Sequence, residues 1–180
     1  MRPILQPVIA LVLVAVLATS LAAAQGFGVG GGLIAPLSDY KTTDNLGWHV
    51  MAKVESRIGP GSPVGIRVDA LYGQTNHKSG QPIGHTRLIG ALADGVFHVT
   101  GGSQVKPYVM GGAGFYNVQA TAAGLSGSTT KFSWDVGGGL GLGAGQTTLF
   151  VEARYVTVTG SITTNGSALK FIPVTVGLTF

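Results

Sequence analysis

Lys53, Glu55 and Arg57 occupy alternate positions, as do Arg67 and Asp69 and then Glu152 and Arg154, while Asp135 stands alone on a further segment. In an extended chain every second side chain points to the same face, so all eight charges can share one surface. In complementary register they would neutralise one another and lock that surface shut; unpaired, they would line a polar conduit. A half-satisfied buried network is costly, which favours the lock. Ser133, Asp135 and Glu152 offer a nucleophile and two acids, but no histidine lies close in sequence to complete a Ser-His-acid group, so no catalytic residue is expected. The histidines His49, His77, His85 and His98 share no short spacing with one another or with a carboxylate. A metal site needs several convergent ligands, and none is expected. Gly26-x-Gly28-x-x-Gly31 and Gly139-x-Gly141-x-x-Ala144 imitate a dinucleotide fingerprint. Such a fingerprint must open a helix, whereas these glycines sit inside alternating segments, so no cofactor is expected. The chain has no cysteine, which removes disulfides and thiolate chemistry. Its eleven basic and seven acidic residues are scattered singly, which excludes nucleic acid as a partner.

The elements that would hold these residues are strands. The chain is apolar on average (mean hydropathy +0.40) yet has no second long apolar run after its start, and it contains 30 glycines, poor helix material. In lipid every backbone polar group must be bonded internally, so the alternative to a helix is a closed barrel with apolar residues at every second position. Eight candidate strands show that period. The first, 26–35, sets Phe27, Val29, Leu33 and Ala35 against mostly glycine, and the second sets Trp48, Val50, Ala52, Val54 and Ile58 against the Lys53 face. The third alternates Val64 to Tyr72, whereas the facing of the fourth, 86–99, and the fifth, 105–118, stays open. Inward Asp94 and His98 would turn Ile89, Ala91, Ala93 and Phe97 to lipid unless a bulge intervenes. The sixth opposes Phe132, Trp134, Val136, Leu140 and Leu142 to Lys131, Ser133, Asp135 and glycines, and the seventh opposes Leu149, Val151, Ala153 and Tyr155 to Glu152 and Arg154. The eighth runs through Ile172, Val174, Val176, Leu178 and Phe180.

Connections 59–62, 100–104 and 143–146 are short, while 36–46, 74–84, 119–130 and 159–169 are longer, which is the pattern of periplasmic turns and external loops. Ahead of the strands, Arg2, the apolar run Val8 to Ala18 and Ala22-Ala23-Ala24 read as a cleavable signal peptide, residues 1–24, leaving a barrel domain of 25–180. The run is too short for a spanning helix of about 20 residues.

Charge fixes a register. Opposing Lys53 to Asp69 and Glu55 to Arg67 in the second and third strands, with Val50 against Tyr72, avoids like charges face to face. The same rule in strands six and seven opposes Asp135 to Arg154 and Trp134 to Tyr155 and centres the turn on Ala144-Gly145. Eight strands enclose room only for side chains or one small ligand. The glycines of strand six would make space for long side chains reaching from the opposite wall. Trp48, Tyr72, Trp134 and Tyr155 fall near the outer strand ends, where an aromatic girdle sits. A soluble lipocalin-like barrel would show the reverse facing, charges out and apolar side chains in.

The terminus FIPVTVGLTF, with Ile172, Val174, Val176, Leu178 and a final Phe180, resembles the C-terminal signal read by the outer-membrane assembly machinery, and KPYVMGGAGFYNV is similar to a fifth barrel strand. On these segments the chain resembles the small outer-membrane barrels of the OmpA/OmpX type. The resemblance implies an all-β, eight-stranded antiparallel up-and-down transmembrane barrel in the outer membrane of a Gram-negative envelope. Its implied partners are outer-membrane lipids, lipopolysaccharide (with Lys41 and Lys78 in external loops), the assembly machinery and an unidentified surface ligand. The fold alone supplies no activity; the expected role is nonenzymatic, in envelope integrity and surface interaction through the external loops, with a porin-like narrow channel for small or hydrophobic solutes as the alternative and a lipid A-modifying enzyme behind it.

Overall fold

A computed structural model of the chain describes residues 26–99, 105–160 and 166–180. The expected signal peptide and the 100–104 turn lie outside them. Eight antiparallel strands follow one another around a closed barrel: β1 (Gly26–Leu37), β2 (Gly47–Arg57), β3 (Val64–Asn76), β4 (Gly84–His98), β5 (Val105–Ala122), β6 (Leu125–Ala144), β7 (Thr147–Val158) and β8 (Leu169–Thr179). One short helix, α1 (Ser38–Thr43), follows β1. The first and last strands seal the wall, and Phe180 exchanges backbone hydrogen bonds with Phe27 at 2.7 and 3.2 Å.

The pairing sets the barrel's shape. A circuit from Phe27 through Val54, Val68, Ala93, Ala113, Trp134, Thr157 and Lys170 returns to β1 at Leu37, ten residues along the strand. That stagger tilts the strands by roughly 40° and leaves a narrow interior. The start of β1 and the end of β8 share one end with the connections 58–63 and 145–146, whereas the opposite end carries the two longest connections, 38–46 and 159–168, so the first end faces the periplasm.

Facing separates a membrane barrel from a soluble one. Leu33, Ile66 and Phe115 are 57, 57 and 59% exposed on the outer wall, while Arg67, Asp69, Glu152 and Arg154 are 1, 2, 2 and 5% exposed inside. Strands β4 and β5 pair one for one from Gly84–Ala122 to His98–Tyr108, so no bulge interrupts them. Leu88, Leu92, Asp94 and Val96 point inward; Ile89 and Phe97 point out.

Two expectations are corrected. Residues 119–130 form no long loop: β5 and β6 pair out to Ala122 and Leu125 around a two-residue turn, Ala123-Gly124, with φ of +50° and +82°. Two positive φ values are what a tight type I′ hairpin needs, and the threonines of this stretch suit extended pairing better than its small, polar composition suggests. Strands β6 and β7 are shifted two residues from the charge-derived register: Arg154 faces Gly137, Trp134 faces Thr157, and Asp135 faces Val156. The turn is Gly145-Gln146, with Gly145 at φ +66°. Space is the reason, because a β-carbon at Gly137 would lie 2.9 Å from Cγ of Arg154. The bare backbone accepts the arginine stem, and Asp135 is reached diagonally.

Candidate functional site

Strands β2, β3, β4, β6 and β7 each send acidic or basic side chains into the lower, periplasmic half of the lumen, where they meet in one lattice. The Arg154 guanidinium lies 2.8 Å from Asp69, 3.0 Å from Asp94, 3.6 Å from Asp135 and 3.0 Å from Glu152. Arg67 links Glu152, at 3.0 Å, to Glu55, at 2.9 Å. Glu152 also accepts a hydrogen bond from the Tyr108 hydroxyl at 2.8 Å and has Lys53 at 3.8 Å. The Lys53 ammonium sits 3.3 Å from the Phe150 ring centroid, a desolvated cation–π contact. His98 Nε2 lies 2.6 Å from Glu55, and Arg67 donates to the sulfur of Met110 at 3.3 Å.

The sequence-derived set maps onto this lattice with one departure. Lys53, Glu55, Arg67, Asp69, Asp135, Glu152 and Arg154 meet in the lumen. Arg57 does not; it lines the periplasmic mouth and donates to the carbonyl of Ser62 at 3.0 Å. Asp94, Tyr108 and His98 also belong to the lattice, beyond the sequence-derived set, because the facing of β4 and β5 is not legible among their glycines. The glycines of β6 make room for adjacent strands, not for the opposite wall: Gly137 for Arg154 and Gly139 for the Tyr108 ring.

The upper half of the lumen is apolar, which sequence reasoning missed. Ile34, Leu71, Leu88, Tyr116, Val156, Val158 and Phe171 pack there as a buried cluster, with Tyr116 and Phe171 edge to face at 5.5 Å. The available signal was Leu71 and Phe171 on otherwise polar or small faces. Above the cluster Tyr40, on α1, completes a chain of hydrogen bonds through Thr75 to Asp44, both links 2.6 Å long. Burial raises the Tyr40 phenol well above its ordinary pKa, so it remains a neutral donor. An open vestibule of about 520 Å³ lies outside, lined in part by Tyr40, Val118 and Leu169.

On the outer wall the stagger brings the two tilted pairs Trp48–Tyr72 and Trp134–Tyr155, with ring centroids 5.7 and 5.9 Å apart, to one level. Val174, Val176 and Leu178 face outward on β8, with Phe180 just past its end exposed and Ile172 half-buried on the same side.

The family model for the outer membrane protein beta-barrel domain matches residues 8–180. Among solved structures, neisserial surface protein A is similar with a TM-score of 0.62 at 16% identity, over 85% of this chain and 95% of that one. The outer membrane enzyme PagL gives 0.50 at 14% identity, over 86% and 98%. Ail, the attachment invasion locus protein of Yersinia pestis, gives 0.49 at 17%, over 86% and 98%. Likeness at these identities is one of fold. No curated protein sequence matches the chain.

Proposed function

The chain belongs to the outer membrane protein β-barrel domain family and resides in the bacterial outer membrane, and on that premise we propose that it is a closed, nonenzymatic barrel. It supports envelope integrity and meets the exterior through its loops. The carrying observation is the apolar layer above the lattice, in which Ile34, Leu88, Tyr116, Val156, Val158 and Phe171 are each 0% exposed. A packed apolar layer offers an ion no replacement for its hydration shell. Planar-bilayer recordings of the purified protein are expected to show no stable unitary conductance; a reproducible conductance would establish a channel instead.

The case against catalysis is local. Among the described residues the buried hydroxyl of Ser133 has no hydrogen-bond partner, so none of them stands as a base to activate it. Unchanged lipid A acylation on expression is the matching check. Residues 1–24 act as a signal peptide removed on export, and the Ile172 to Phe180 face serves as the assembly signal. Phe180 contributes only two backbone hydrogen bonds to the closed wall, worth about 1–3 kcal/mol together. Its deletion should therefore lower outer-membrane insertion in cells far more than the unfolding free energy of the refolded barrel. Equal insertion of the deleted chain would refute the signal role.

A further inference from the structure

The periplasmic mouth holds a pocket of about 180 Å³, separate from the vestibule at the other end. Its rim carries Arg57, Lys106 and His98, and its floor is the underside of the lattice at Lys53 and Arg67. The space exists because β1, β6, β7 and β8 line it with small residues, Gly26, Gly141, Thr148 and Thr179: a β-carbon at Gly141 would already stand 3.1 Å from Thr148. Lys53 and Arg67 are matched by Glu152 and Glu55. Arg57 and Lys106 are not matched: among the described residues neither takes part in an ion pair. Among the described residues the Arg57 guanidinium makes one hydrogen bond, to the Ser62 carbonyl, which uses one of its five N–H donors. Six of the chain's seven acids lie elsewhere, in the lattice above or in the outer loop around α1, so Glu55 is the acid on the pocket wall.

We propose that this mouth is a binding site for a small oxyanion, phosphate or a phosphomonoester head, held between Arg57 and Lys106 inside the rim. A pocket with low-dielectric walls and two uncompensated cations raises the local concentration of anions, and a guanidinium fork fits a phosphate face by paired hydrogen bonds. The phosphate can be free in the periplasm or belong to a lipid headgroup of the inner leaflet.

The test is calorimetric titration of inorganic phosphate into the purified protein at fixed ionic strength, first in a glucoside detergent that contains no phosphate. Saturable binding is expected, weakened at least tenfold in the Arg57→Gln/Lys106→Gln variant. Both substitutions sit at the rim, and unchanged heat-modifiable migration on a gel confirms a folded barrel. Repetition in phospholipid nanodiscs separates the sources: retained affinity assigns the site to soluble phosphate, whereas loss assigns it to a lipid headgroup. No saturable binding in the detergent, or equal affinity in the variant, overturns the proposal. A Lys41→Gln variant in the outer loop should bind phosphate like the parent; an equal loss there would show general charge attraction and also overturn it.

Discussion

Above Met51 and Leu92 the lumen is filled by Ile34, Leu71, Leu88, Tyr116 and Phe171; below them it is filled by Arg154, Arg67, Lys53 and five carboxylates. Both halves are closed, by unlike means. Apolar packing is non-directional and tolerates small shifts, whereas the lattice needs each strand to present its charged face to the lumen and, at β2–β3, to set opposite charges across the ladder. One residue of slip in β3 would turn Arg67 and Asp69 to lipid. On the closed-barrel reading proposed above, the apolar half supplies the seal and much of the stability, and the charged half selects the register of β2 against β3, while at β6–β7 the glycine opposite Arg154 decides it.

The largest effect should follow Arg154→Met. It leaves Asp69, Asp94 and Asp135 facing one another without their cation, and removing one partner of a buried ionic group costs about 3–5 kcal/mol. Urea unfolding of the refolded barrel measures it. If the division of roles holds, the variant still blocks ions. Next comes Leu88→Ala, fully buried in the apolar half, at about 2–5 kcal/mol. Combined with Phe171→Ala it should open a measurable leak in bilayer recordings. A leak in Arg154→Met and none in the double apolar variant would reverse the comparison.

The same contrast explains what was legible in the sequence. The β2–β3 register follows from four charges because Lys53 pairs with Asp69 and Glu55 with Arg67 across the ladder. The β6–β7 register does not, because Arg154 is long enough to serve partners two positions away and a glycine opposite was the stronger requirement. Membrane facing was readable from Trp48, Val50, Ile66 and Val176, since period two survives any register. The apolar layer was not, because no strand contributes more than two of its residues, β6 contributes none, and a circuit of ten residues is needed to bring them level. His49 marks the border, with Nε2 2.9 Å from Thr175 in the lower half and no partner for Nδ1.

The smallest effect is the most discriminating. Four carboxylates surround Arg154, and they are not equivalent. Asp69, Asp94 and Glu152 each accept a hydrogen bond from it, whereas both oxygens of Asp135 lack a hydrogen-bond partner and the closer approaches to 3.6 Å. Asp135 therefore adds like charge beside Asp94 and Asp69 and gains little in return. Asp135→Asn keeps the shape, removes that repulsion and supplies two donors to oxygens that have none, Oδ1 of Asp94 among them. Stability in urea should stay within about 1 kcal/mol of the parent or rise above it, while Asp69→Asn, which breaks a 2.8 Å contact to Arg154, should fall by about 1–3 kcal/mol. If the two substitutions cost the same, the lattice acts as an undifferentiated pool of charge, and its role in choosing a register loses its basis.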